Sequence, residues 1–510
     1  MKNQMLLSML ILLGVSTQGL SFCGFYVAKA DTKLFNKTSQ VILVRDGNKT
    51  TVTMANDFKG NVKDFAMVIP VPAVLQRKDI KIAENSLFSK LDSYSGPRLV
   101  EYNEVNPCSP SISRLEYYEN ESIRELSDIS VTAVKSERRK KLGVTIEAQY
   151  KVDEYDILIL SAKQSGGLKI WLTENGYKIP AEAESVLEPY IKNNMKFFVV
   201  KVDAEKLNSM SNLGSVKKYI KDLDTENVQN LRPLQITYES PKFMLPIRLG
   251  MANANGDQDM IVYAFTKKGR VECTNYRTTK IPSNQNVPLF VRQKFGQFYV
   301  DLFEKAHKAQ GKEAIFLEYA WNISPQFRGM KCDPCVGPPP IFTDLVKAGV
   351  HWAINNSNQA SGQVFFTRLH VRYSRATHPR DLEFQVTPNK EHFQARYVLT
   401  NRAHGDLTCE AGQKYCAKVV KERAAELDNL ENLTAWNTAK HSNYVQEYYD
   451  LLIDPSLLKS VEPTKNSIIP ILKNRGNDPK QGYKIGVILT FVLIICALFY
   501  RKRKLQKLAI

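Results

Sequence analysis

Cys332-Asp333-Pro334-Cys335 is the sharpest chemical motif in this chain of 510 residues. A C-x-x-C pair works as a redox dithiol when a helix N-terminus lowers the pKa of its first thiolate. Here Val336-Gly337-Pro338-Pro339-Pro340 follows at once, so a helix can begin only near Pro340, too far away to act strongly on Cys332. A structural disulfide, or two long-range bridges, ranks above a redox role. A zinc site would need two further ligands, and Cys409 and Cys416 offer them only at an unusual spacing. The disulfide candidates are Cys23, Cys108, Cys332, Cys335, Cys409 and Cys416; Cys409 and Cys416 flank Gly412 and could close locally. With Cys273 they make an odd set, whose connectivity spacing alone does not reveal.

The histidines all lie in the second half, and none forms H-x-x-x-H or H-E-x-x-H, so a metal hydrolase has no scaffold here. Arg368, His370 and Arg372 alternate along a strand from Phe365 to Tyr373 and therefore share one face. With Arg396 from a neighbouring strand they could form an anion-binding face; the competing reading is an exposed sheet face. Asn253, Asn255, Asp257 and Asp259 bring oxygen ligands close enough to consider calcium, but their order is not that of an EF-hand, and Asn255-Gly256 is itself a turn signal. There is no G-x-S-x-G, P-loop or dinucleotide fingerprint. No catalytic, metal-binding or cofactor-binding residue is expected from these patterns.

The elements that must position these residues read as α+β: a β-rich, multi-domain ectodomain with a few amphipathic helices and one C-terminal transmembrane helix. Val41-Ile42-Leu43-Val44 is a strand buried on both faces, and Asp46-Gly47-Asn48 turns it into a hairpin. Phe65–Val71 is a strand that Pro70 and Pro72 end or place at an edge. Val144–Val152 and Tyr155–Ser161 pair, Pro180–Lys192 is helical, and Met260–Thr266 forms a hairpin with Val271–Tyr276. A helix with an aromatic stripe (Phe295, Phe298, Tyr299, Leu302, Phe303) ends at Gly311. Strands Phe365–Tyr373, Leu382–Thr387 and Phe393–Leu399 follow, then a charged helix between Cys416 and Leu433.

Two apolar runs set the expected address. Met5–Val15 behind Lys2 reads as a secretion signal, with cleavage after Ser21. Ile485–Tyr500 carries no charge and is followed by Arg501-Lys502-Arg503-Lys504, the pattern of a membrane anchor with a cytoplasmic tail. At about 1.5 Å per residue the run is shorter than the ~30 Å hydrocarbon core, a mismatch that Lys484 and Arg501 relieve by snorkelling. The expected organisation is a signal at 1–21, a β-rich region at 22–287, an α+β region at 288–473, a polar stalk at 474–483, an anchor at 484–500 and a basic tail at 501–510. The net charge is +18; five of the positive charges sit in the basic tail and the remainder is spread along the chain without one dominant run, which argues against nucleic-acid binding.

Several blocks resemble one bacterial family. Cys23-Gly24-Phe25-Tyr26-Val27-Ala28-Lys29-Ala30-Asp31, Leu34-Phe35-Asn36, Arg45-Asp46-Gly47, Met54-Ala55-Asn56-Asp57 and Phe65-Ala66-Met67-Val68-Ile69-Pro70-Val71-Pro72 form the specific part. Asn175-Gly176-Tyr177, Pro233-Leu234, Pro246-Ile247-Arg248-Leu249 and the Cys332–Cys335 tetrad match more loosely. Together they resemble the domain of unknown function 2330 family, from Cys23 to about Tyr397. The resemblance implies a secreted bacterial protein, commonly anchored at its C-terminus, and assigns no activity.

The expected function is that of a membrane-anchored extracytoplasmic binding or envelope-structural protein. Its partners would be the membrane, through the C-terminal helix, and a protein or polysaccharide. The alternative is an extracytoplasmic enzyme, either a thiol–disulfide oxidoreductase using Cys332 and Cys335 or a hydrolase. Function follows a site, and no catalytic constellation is visible in the sequence.

Overall fold

A computed structural model describes residues 39–55, 65–109, 143–175, 183–202, 232–253 and 256–458, with short strand segments at 25–28, 35–36, 57–59 and 228–230. The signal region, the stalk, the Ile485–Tyr500 run, the basic tail and Cys23 lie outside the described residues. Among the described residues no helix is long and apolar enough to cross a membrane. The chain is a mixed α and β structure, consistent with the α+β class.

It divides into two compact units: Met1–Arg98 with Tyr118–Asn284 and Leu302–Arg396, and Leu99–Tyr117 with Gln285–Asp301 and Tyr397–Ile510. The units interleave along the sequence. A single cut near residue 287 would part strands that pair, since Phe365–Tyr373 runs antiparallel to Gln258–Thr266.

The Val41–Val44 run dictates the layering of the first unit. In strand Ser39–Asp46, Val41 and Leu43 enter one core while Ile42 and Val44 enter another. A strand apolar on both faces needs a layer against each. It lies inside a nine-stranded sheet, parallel to Gln258–Thr266 on one side and antiparallel to Lys49–Ala55 on the other. One face packs on a five-stranded antiparallel sheet through Met67, Ile69, Ile157, Phe198 and Val200. The opposite face is covered by helix Asn85–Ser95, whose Leu87, Phe88, Leu91 and Tyr94 fall at helical spacing. Helices Ser165–Glu174 and Ala183–Lys192 cover the outer face of the five-stranded sheet through Leu168, Leu172, Leu187 and Tyr190. The order is thus helix, sheet, sheet, helix.

Pro70 sits inside strand Phe65–Val71, opposite Phe197. Among the described residues the neighbouring Phe25–Ala28 strand pairs as far as Val68, and no ladder partner faces Pro70 on that side. The hairpin expected after Thr266 does not close on itself. Val271–Cys273 pairs with Leu382–Val386 instead, because both edges of Gln258–Thr266 are already taken, by Phe365–Tyr373 and by Ser39–Asp46.

The second unit contains a three-stranded sheet of Gln285–Asn286, Arg396–Asn401 and Arg98–Asn103, and the helix Glu410–Thr434. Its core joins Val419, Val420, Leu427 and Cys416 of that helix to Val445 and Tyr448 of helix Asn443–Tyr449. Arg402 is buried there with Glu426 at 2.5 Å and Glu422 at 2.5 Å. The helix Phe295–Ala309 is shared, its residues up to Asp301 belonging to the second unit and those from Leu302 to the first.

Candidate functional site

Alternation along Phe365–Tyr373 does bring Arg368, His370 and Arg372 to one face, but that face is neither open nor exposed. Each cation already meets a carboxylate. Strand Ile315–Asn322 slips its register between Leu317 and Tyr319, and the extra residue is Glu318, whose backbone carbonyl accepts from the Ala395 N–H at 2.8 Å. Such a bulge re-aims a side chain. Glu318, fully buried, takes Arg368 Nε at 2.5 Å and His370 Nδ1 at 2.9 Å. Asp259 takes His370 Nε2 at 3.3 Å and both Arg372 Nε and Nη2 at 2.8 Å. At the other end Arg368 Nη1 reaches Asp92 at 2.7 Å, and the Tyr263 hydroxyl donates to the same carboxylate at 2.8 Å. The His370 ring stacks on Phe303 at 3.8 Å between centroids. Arg396 stands apart and pairs with Asp333 at 2.7 Å. The cationic face, weighed as an anion-binding face or an exposed sheet face, is therefore an internal ladder of alternating charge, closed because Glu318, Asp259 and Asp92 occupy the positions an anion would take. Asp259, weighed as a turn or calcium residue, is a strand residue within it. Among the described residues no group of three or more His, Cys, Asp and Glu side chains is placed to hold a metal ion.

This ladder gives stability a pH signature. Burial by itself lowers the His370 pKa, but the Glu318 charge and the hydrogen bonds to Asp259 and Glu318 outweigh it and hold the imidazolium above its ordinary value. A raised folded-state pKa stabilises fully below about pH 6.5, and the contribution is lost as pH rises through the folded value. Burial raises the Asp259 pKa, yet the bonds from His370 and Arg372 override it and hold the carboxyl well below the usual range, so that contribution is lost only in acid. His378 has the opposite sign to His370: burial drives its pKa down to about 4, so protonating it on acidification costs stability. The thermal midpoint of the wild type is expected to fall as pH rises above the ordinary histidine range, with His370→Asn flattening that alkaline limb. Equal alkaline losses in both proteins would remove His370 as the cause.

The C-x-x-C motif forms a local disulfide. Cys332 is fully buried, which leaves the first sulfur of the pair, the one a redox dithiol presents, out of reach. Four side chains pin the surrounding backbone. Tyr94 and Tyr319 hydroxyls both donate to the Lys331 carbonyl at 2.7 Å, Trp321 Nε1 to that of Met330 at 2.6 Å, and Arg98 Nη1 to that of Pro334 at 2.9 Å. The next helix, Phe342–Lys347, starts seven residues beyond Cys335. Replacing both cysteines by serine is expected to lower the unfolding midpoint while leaving no insulin-reduction activity to lose. Reductase activity in the wild type, absent from the double variant, would overturn the structural role.

The other bridge is long-range. Cys108 bonds Cys409, with Cα atoms 5.9 Å apart at a sequence separation of 301. The local Cys409–Cys416 closure does not occur, because Cys409 caps helix Glu410–Thr434 and seven residues of helix rise about 10 Å, beyond disulfide reach. Cys416 is a free, fully buried core residue, and so is not a bridge partner. Gly412 admits the bridge: a Cβ there would lie 2.6 Å from Cys108 Sγ.

Outside the ladder, the first unit carries a cleft of about 420 Å³ built from four separated stretches. Strand Phe65–Val71 ends into it with Pro70 and Pro72, and helix Ala183–Lys192 contributes Pro189 and Tyr190. The segment after strand Leu234–Glu239 adds Pro241, Lys242, Pro246 and Arg248, and the approach to strand Leu382–Val386 adds Arg380, Asp381 and Glu383. Asp381 is the best-defined polar group. Its Oδ1 accepts from the Tyr190 hydroxyl at 2.7 Å and the Arg248 backbone N–H at 3.1 Å. Burial raises its pKa, and the Tyr190 and Arg248 hydrogen bonds only partly oppose this. A carboxylate offers about four acceptor positions, so Asp381 keeps capacity for a ligand donor. Lys242, Arg248 and Arg380 form no ion pair among the described residues, and they supply donors beside it. Sequence reasoning missed this site, since Asp381, Tyr190 and Lys242 belong to no motif. The one available signal was that Phe65–Pro72 and Pro246–Leu249, both quoted above for their family resemblance, meet at its rim.

Fold and site together define a layered α+β protein, two of whose sheets pack face to face, with a proline-walled, mixed-charge cleft. The chain belongs to the family described as "Uncharacterized protein conserved in bacteria (DUF2330)", which it matches over residues 18–385. No curated protein and no solved structure matches it.

Proposed function

We propose that this protein is an extracytoplasmic binding protein held at the membrane by its C-terminal apolar segment, with the Asp381 cleft as its binding site. The observation that carries the reading is the cleft itself, a concave, mixed donor and acceptor site of a size usual for ligand pockets, about 300–1,000 Å³. The Cys108–Cys409 bridge supports the extracytoplasmic location, because disulfides of this kind persist in oxidising compartments. The buried first sulfur of the C-x-x-C pair weighs against the oxidoreductase alternative. Location is tested by protease treatment of intact and permeabilised cells, with the free thiols labelled before and after reduction. The expected result is a membrane-fraction protein cut from outside, whose Cys108 and Cys409 label only after reduction. A cytoplasmic protein with reduced Cys108 and Cys409 would sink the reading.

A further inference from the structure

We propose that the Asp381 cleft binds a saccharide ring of an envelope polysaccharide; this rests on the binding reading above and names its ligand. The walls are unusual in what they lack. Pro70, Pro72, Pro189, Pro241 and Pro246 all line the cleft, and a proline has no backbone N–H to donate. An extended peptide is held mainly by main-chain hydrogen bonds, with alternating donors and acceptors presented by the host backbone. A wall of prolines cannot present that array, so a peptide is the disfavoured occupant.

What the walls do present suits a polyol. Each sugar hydroxyl is both donor and acceptor and needs both kinds of partner close together. Asp381 and Glu383 accept, while Lys242, Arg248 and Arg380 donate. The apolar C–H face of a sugar ring matches the pyrrolidine rings and the half-buried Tyr238 ring. Asp381 is held in place before any ligand arrives, since Tyr190, itself almost fully buried, and the Arg248 backbone fix its Oδ1. Fixing a polar group in advance reduces the ordering cost of binding. A second cleft of about 300 Å³ shares Pro241 with the first and carries Lys268 and Phe243. Two adjoining clefts have room for successive rings, which favours a polymer over a free monosaccharide.

The test uses the full chain in detergent and titrates it calorimetrically with three probes: a neutral glucan oligosaccharide, a galacturonan oligosaccharide and a proline-rich peptide. Binding of either saccharide supports the proposal if Asp381→Asn weakens it about ten-fold or more, the loss expected for one hydrogen bond to a charged group. The arm that binds separates neutral from acidic polymers, and an acidic ligand should also be weakened by Lys242→Ala. Asp381 is packed against Tyr190, so its variant is checked for folding; Glu383→Gln, on an exposed side chain, gives the same readout with an unchanged unfolding midpoint expected. The proposal is overturned if neither saccharide binds the folded wild type, if the cleft variants bind as the wild type does, or if the peptide binds and the variants abolish it. In that last case the binding reading stands and only its ligand falls. A cytoplasmic location in the protease experiment removes the reading whatever the titrations show.

Discussion

Glu318→Ala is expected to cost about 3–5 kcal/mol, the loss typical of removing one partner from a buried ion pair. The reason lies in what stays behind. Arg368 and His370 both turn to Glu318, at 2.5 and 2.9 Å, and the Arg368 side chain is only 7% exposed. After the substitution Arg368 keeps Asp92 and His370 keeps Asp259, but Asp92 is half exposed and water screens its share. Glu318→Leu combined with Arg368→Met should be markedly less damaging than the sum of the two single changes, because the double variant leaves neither of these charges unpaired. Urea unfolding of the four proteins in the cycle measures this. Additive losses would show that the two groups do not act as a pair.

The second large effect concerns the Cys108–Cys409 bridge. Opening it by Cys→Ser substitution at both positions is expected to cost about 2–5 kcal/mol, since a bridge that closes a long loop restricts the unfolded chain strongly. The Cys332–Cys335 bridge spans a sequence separation of 3, so its removal should cost less by the same argument. Thermal unfolding of the two double variants, each with and without dithiothreitol, orders them. If the Cys332→Ser/Cys335→Ser protein proved the less stable, loop closure would not be what the long bridge contributes.

Both effects depend on residues far apart in sequence, and that separation marks what could be read from the chain alone. Periodicity is a local signal, and it served where structure is local. Val41–Val44 announced a strand with two apolar faces, and the sheet around it supplies a core on each. The aromatic stripe between Phe295 and Phe303 announced the helix Phe295–Ala309, and Gly311 with φ +69° closes it. Alternation placed Arg368, His370 and Arg372 together correctly. It was silent on what they would meet, because Glu318 reaches them from another strand through a register slip that leaves no trace in a hydrophobic pattern. The Val271–Tyr276 hairpin was misread for the same reason, since a turn signal says that the chain reverses and not which strand receives it.

The sequence by itself determined the alternation of strands and helices, the membership of the family, the one-sided array of cations and the proximity of Cys332 to Cys335. Those follow from stereochemistry acting over a few residues. Only the tertiary structure decided that the cations are neutralised by Glu318, Asp259 and Asp92, that Cys409 bonds Cys108 while Cys416 stays in a core, and that a cleft forms around Asp381. Each of these joins segments whose pairing is chosen by burial of both faces of a sheet, a condition satisfied by the whole fold and written in no single stretch of it.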